Sequence, residues 1–182
     1  MTAIDESMKM LGRTPEEQCV NNARLMYRHL FVVYTTLKEA YGIARAEELY
    51  WRSWLPFLKQ GIENAKKKLG VKEIKGFEDL AKVSQLAYLD FPCLSENVEL
   101  TDDRIVQHVS FCANPIYGPT PFDDYLDRAD YYRVESWVLT KKLLDLYVEA
   151  AGMTGQVDTR LEKVMCLGDG HCTFVYEKKK EK

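Results

Sequence analysis

NVELTDDRIVQHVSFC, residues 97–112, is the stretch on which the fold turns. Apolar residues before it recur at helical spacing, and within it they alternate. Asn97 to Leu100 and Arg104 to Cys112, separated by Thr101, Asp102 and Asp103, predict a β-hairpin. Alternation along the second strand puts Val106, His108, Ser110 and Cys112 on one face, with Ile105, Gln107, Val109 and Phe111 on the other. The loop NPIYGPTP follows almost at once, and irregular backbone beside a strand end is a common place for functional groups.

Upstream the period is helical. Thr14, Pro15 and Glu17 write a capping box with proline in the first turn, and Leu25, Tyr27, Leu30, Phe31, Tyr34, Leu37 and Tyr41 keep helical spacing up to Gly42. A second amphipathic stretch runs from about Ala44 to Leu69 and stops at Gly70, with Pro56 expected to kink it and Lys66 to Lys68 favouring its C-terminus. Phe77 to Leu89 predicts a shorter helix. Downstream, Asp123 to Asp127 makes a short segment, and Tyr131 to Ala151 a longer helix ended by Gly152. A second hairpin closes the chain, roughly Asp158 to Cys166 and Cys172 to Glu177.

No low-complexity linker and no repeat divides the sequence. The reading is therefore one α+β domain over residues 1–182: N-terminal helices packed on one face of a small antiparallel sheet, built from two hairpins with a long helix between them. Within it, 1–13 reads as a flexible N-terminus, 14–90 as the helical part, 96–178 as the sheet and helix part, and 179–182 as a tail.

At 182 residues, 46% hydrophobic and 29% charged, the chain can bury a substantial core unaided. A net charge of −3 supplies no basic field, which argues against a nucleic-acid partner, and the lysines from Lys178 to Lys182 read as a solubilising end. Neither a signal segment nor an apolar run of about 18 residues is found, so the expectation is a cytoplasmic protein that does not engage membranes. Five cysteines, Cys19, Cys93, Cys112, Cys166 and Cys172, then read as thiols rather than as a disulfide framework.

The candidate chemistry lies in MCLGDGHCTF, residues 165–174, where Cys166 and Cys172 bracket a Gly-Asp-Gly-His turn. Three readings stand open. As a metal site, Cys166, Cys172, His171 or Asp169, and Cys112 could supply soft or borderline ligands, although five residues separate the paired cysteines where zinc knuckles use about two to four. As a nucleophile, Cys112 at a strand end or Cys172 beside His171 would need a lowered pKa, and His108 could reach Cys112 only by relay through Ser110. As packing, buried cysteine behaves as a small apolar residue and Gly-Asp-Gly is ordinary turn chemistry, the reading that also fits Cys19 and Cys93. The helical aromatics have the same ambiguity: Tyr50 and Trp54 suit a core or dimer face, and equally the lining of a small-molecule pocket.

The order of parts resembles the L-2-amino-thiazoline-4-carboxylate hydrolase family over about 140 residues, from roughly Ala44 onward. The resemblance is carried by EDLAKVSQL, by the strand ending in Cys112 followed closely by NPIYG, by the helix from Tyr131 to Ala151 and by LGDGHCTFVYE. That family is related in fold to four-vinyl-reductase ligand-binding domains. Cys112 matches its first cysteine, and Gly168, Asp169, Cys172 and Phe174 match its last motif. The departures are Ala113 and Asn114 between Cys112 and the proline, Trp137 or Val138 where a helical cysteine stands, and Val164 at the cysteine position of the related zinc-binding sensors.

What the resemblance implies is a hydrolase-like enzyme acting on a small heterocycle containing sulfur or nitrogen. Cys112 would serve as nucleophile or ligand, Cys172 as its partner, and His108 or His171 as proton shuttle, with Asp169 orienting the turn. Arg133 and Tyr117 would clamp a substrate carboxylate. A non-catalytic module that binds a small molecule, and a cysteine-ligated metalloprotein, are the alternatives. No cofactor is specified by either the residues or the resemblance, and the aromatic first helix suggests a homodimer.

Overall fold

The computed structural model describes residues 14–88, 93–112 and 128–180. Helix α1, Pro15–Tyr41, opens with the capping box its sequence predicts: the Glu17 N–H donates to Thr14 Oγ1 at 3.2 Å and the Thr14 N–H to the Glu17 carboxylate at 2.7 Å. Helix α2, Ile43–Leu69, carries Pro56 within it and ends at Gly70, whose left-handed φ of 69° lets the last carbonyls bond to the following N–H groups. Helix α3 spans Gly76–Tyr88.

Four strands follow in an antiparallel sheet of order β1-β2-β4-β3, with β1 at Cys93–Leu100, β2 at Arg104–Cys112, β3 at Val157–Lys163 and β4 at Cys172–Lys178. Between the hairpins runs a helical arm: α4 at Arg128–Tyr132, a π-helical stretch at Arg133–Leu139, and α5 at Thr140–Ala150. The fold is α+β as the change of period implies. Helices α3 and α5 lie on one sheet face, and α2 and then α1 stack outward from them.

That face is the core. Leu80 and Val83 of α3 and Leu144 and Tyr147 of α5 pack on Ile105, Val109, Phe174 and Tyr176 from the two central strands. Each such side chain, fully removed from water, contributes roughly 1.5–3 kcal/mol. One polar group is drawn in with them: the buried Gln107 amide donates to Ala81 O, Ser84 Oγ and Asn97 Oδ1, tying α3 to the sheet. A second cluster, of Phe31, Tyr34, Ala46, Tyr50, Tyr131, Val134 and Leu139, fills the space between α1, α2, α4 and the π stretch.

Three boundaries differ from the sequence reading. Strand β1 begins at Cys93, four residues before Asn97, because the pairing with β2 continues past its Gln107 partner. Strand β3 stops at Lys163, and Cys166 lies in a 3-10 turn at Met165–Leu167. The long helix starts at Arg128 and contains the π stretch. The expected N-terminal segment 1–13, the NPIYGPTP loop with Tyr117, the segment 123–127 and the last two tail residues fall outside the described residues.

Candidate functional site

Cys93, Cys112, Cys166 and Cys172 gather at one end of the sheet, and the backbone explains how. Counting back from the hairpin tip, Leu100 pairs with Ile105 and Glu99 with Val106; then Val98 on β1 is left over, and Asn97 pairs with Gln107. A second surplus residue, Ser110 on β2, lies between the Ser95–Val109 and Leu94–Phe111 pairs. The two bulges compensate, so the strands end with Cys93 opposite Cys112.

The Ser110 bulge also shifts alternation by one. Cys112 therefore points with Gln107 and Val109 into the helix-covered face, where it packs on the core beside Cys93, and not with His108 as simple alternation expects. Cys172 begins β4 opposite Val109 on that same face, and Cys166 in the 3-10 turn packs on the same core. All four are thiols. Cys93 and Cys172 are buried, while Cys112 and Cys166 are half-buried.

Burial above all pushes the Cys172 thiol up to about 11, with smaller contributions in the same direction from Cys112 and Asp169. The Met165 N–H, 3.3 Å from Cys172 Sγ, acts in the opposite sense without overcoming burial. Cys172 is thus a protonated thiol at neutral pH. It is suited to giving a proton rather than to attacking a carbon.

Asp169 holds the turn, as its place in Gly-Asp-Gly suggests: its carboxylate accepts the Val164 N–H at 2.7 Å, and Gly168 supplies the required φ of 107°. The two candidate proton shuttles are elsewhere. His108 pairs with Thr173 on the sheet face opposite the helices, and the His171 ring joins it there with centroids 4.4 Å apart. The structure brings the two imidazoles together, but the sheet lies between them and the Cys112–Cys172 end. Neither imidazole is among the groups that move the Cys172 thiol.

The proposed substrate-contacting residues divide in the same way. Tyr50 is fully buried in the aromatic cluster, 5.7 Å from the Tyr34 ring and 6.5 Å from Trp54. Trp54 packs against both clusters and so joins the helical layer to the core under the sheet. Arg133 is committed to two carboxylates, Glu47 at 2.7 Å and Asp130 at 3.0 Å, and the Glu47 bond raises its already high pKa. Asp130 in turn accepts from the Tyr34 hydroxyl and pairs with Lys38, each at 2.9 Å. Helix α4, which carries Asp130, also touches the Met165–Leu167 turn, so this charged hub and the sulfur cluster share one end of the molecule.

Sequence reasoning missed Cys93 and Asp130. Extending the hairpin register from the Leu100–Ile105 tip back to Cys112 would have found Cys93; no signal in the sequence marks Asp130. Among the described residues no three His, Cys, Asp or Glu side chains are placed to hold a metal ion, and no helix is long and apolar enough to cross a membrane. Compared with known proteins, the chain matches no family model and no curated protein.

Proposed function

We propose that this protein is a hydrolase-like enzyme that opens a small heterocycle containing sulfur or nitrogen, using the thiols at the Cys112 end of the sheet. The observation that carries the reading is the shared location of Cys112 and Cys172. Strands from different hairpins bring both to one face and one core cluster, with Cys112 the more accessible of the pair. These are also the two cysteines that the resemblance to the thiazoline-carboxylate hydrolases picks out.

The chemistry divides between them. Cys112 adds to the amidine-like ring carbon as its thiol proton passes to the amidine nitrogen, the ring sulfur or nitrogen leaves with the proton of the Cys172 thiol, and water then displaces Cys112, which departs with one of the water's protons. One water is consumed, and Cys172 recovers its proton from it. Burial of Cys172 favours the donor role, and His108 and His171 take no part.

A second reading, binding of a small molecule without turnover, is favoured by one observation: neither His108 nor His171 is among the groups that act on the Cys172 thiol, which burial keeps protonated. The test is hydrolysis of 2-aminothiazoline-4-carboxylate by the purified chain. The enzyme reading expects turnover that falls by at least ~100-fold in Cys112→Ser. Binding without turnover in the wild type would establish the second reading, and turnover unchanged by Cys112→Ser would remove the thiol mechanism.

A further inference from the structure

We propose that Cys93 and Cys112 form a reversible oxidation site, which a peroxide closes into a cross-strand disulfide. The proposal stands whether or not Cys112 turns over a substrate. The register makes these residues direct partners in an antiparallel ladder, where opposed Cα atoms lie about 4.5–5.5 Å apart. A disulfide needs Cα atoms about 4.4–6.8 Å apart, so both kinds of antiparallel pair fall inside its range. Opposed residues also point to the same face, and both sulfurs pack on the same core.

The neighbouring thiols are worse placed. Cys172 stands opposite Val109, whose β1 partner Ser95 is two positions from Cys93, so it lies about 7 Å along the strands from Cys112 as well as one strand across, near enough to act on it through charge but not as a ladder partner. Cys166 lies in the 3-10 turn, outside any ladder. Neither is opposed to Cys112 in a ladder. Bridging it to Cys93 requires only side-chain rotation at the last rung, next to the Ser110 bulge, where the ladder is already interrupted.

Exposure assigns the order of events. Cys112 is half-buried and meets the oxidant first, while Cys93 is buried and waits behind it. Hydrogen peroxide transfers one oxygen to the Cys112 sulfur, giving sulfenic acid and water. The Cys93 sulfur then attacks the oxidised sulfur, the S–S bond forms, and a second water departs with the hydroxyl of the sulfenic acid and the Cys93 proton. Two thiols are oxidised by two electrons, one peroxide is reduced, and a dithiol reverses the change.

Trypsin reads the outcome directly, because Arg104 lies between the two cysteines. Cys93 falls in peptide 83–104, Cys112 in 105–128, and Cys166 with Cys172 in 164–178. The full chain is treated with a small excess of hydrogen peroxide at neutral pH, alkylated, digested without reduction and analysed by mass spectrometry. The expected product is peptide 83–104 joined to 105–128, lost on adding dithiothreitol. In Cys93→Ser and Cys93→Ala, with folding checked by circular dichroism, that product disappears and dimedone capture of sulfenic acid at Cys112 rises several-fold. A dominant link between 105–128 and 164–178 would overturn the assignment. So would wild-type protein whose Cys112 proceeds to sulfinic acid, or stays reduced, while Cys93 remains a thiol.

Discussion

Cys172 shows at the scale of one residue how burial governs chemistry. Its thiol is raised from an ordinary value near 9 to about 11, which means that the folded chain holds this proton when the unfolded chain has released it. The stability this provides is whole below about pH 9 and drains away as pH rises through about 11, amounting to about 3 kcal/mol in full, of which about 2 is gone by about pH 11. Cys172→Ala deletes the titrating group. Urea denaturation of wild type and variant at about pH 8 and about pH 11 should therefore show the wild type losing about 2 kcal/mol more than the variant. A stability difference that does not change with pH would mean that this sulfur is solvated after all.

At the scale of elements, the Gln107 amide fastens α3 to the sheet through three acceptors, on Ala81, Ser84 and Asn97. Gln107→Leu keeps the volume and removes the donors, and a cost of about 2 kcal/mol in equilibrium denaturation is expected, since Ser84 and the Ala81 carbonyl then stay buried with one fewer partner. The elements themselves were largely legible: the Thr14 cap, the Gly42 and Gly70 stops and the Thr101–Asp103 turn each announce a local conformation with a local cause. The face on which Cys112 lies was not. Alternation is a parity argument, and the single surplus residue Ser110 inverts everything beyond it while leaving no mark in composition. Hence simple alternation put Cys112 on the face of His108, whereas register sets it opposite Cys93 on the other face. The turn role of Asp169 was legible because Gly-Asp-Gly has few other uses, but the separation of His171 from Cys172 by the sheet depends on where β4 starts.

At the scale of the molecule, Asp130 is the point where α1, α2 and the helical arm meet. Burial alone would raise its carboxyl, yet hydrogen bonds from Lys38, Tyr34 and Arg133 outweigh burial and hold it below the usual carboxylate range. A depressed carboxyl stabilises the fold above its unfolded pKa, and that contribution is lost as pH falls through the folded value. Asp130→Asn should therefore lower stability at neutral pH by roughly 1–3 kcal/mol and flatten the acid limb of the stability profile, as read by thermal unfolding across the acid range. An acid limb as steep as wild type would place the pH sensitivity elsewhere. The outer hairpin bears on how the whole molecule meets its surroundings. Strand β1 is a sheet edge with Leu94, Val98 and Leu100 exposed, which is the profile of a surface that recruits stray strands and seeds fibrils. The surplus Val98 breaks its row of N–H and C=O groups midway, so an intruding chain can find only two short, mismatched runs to zip against.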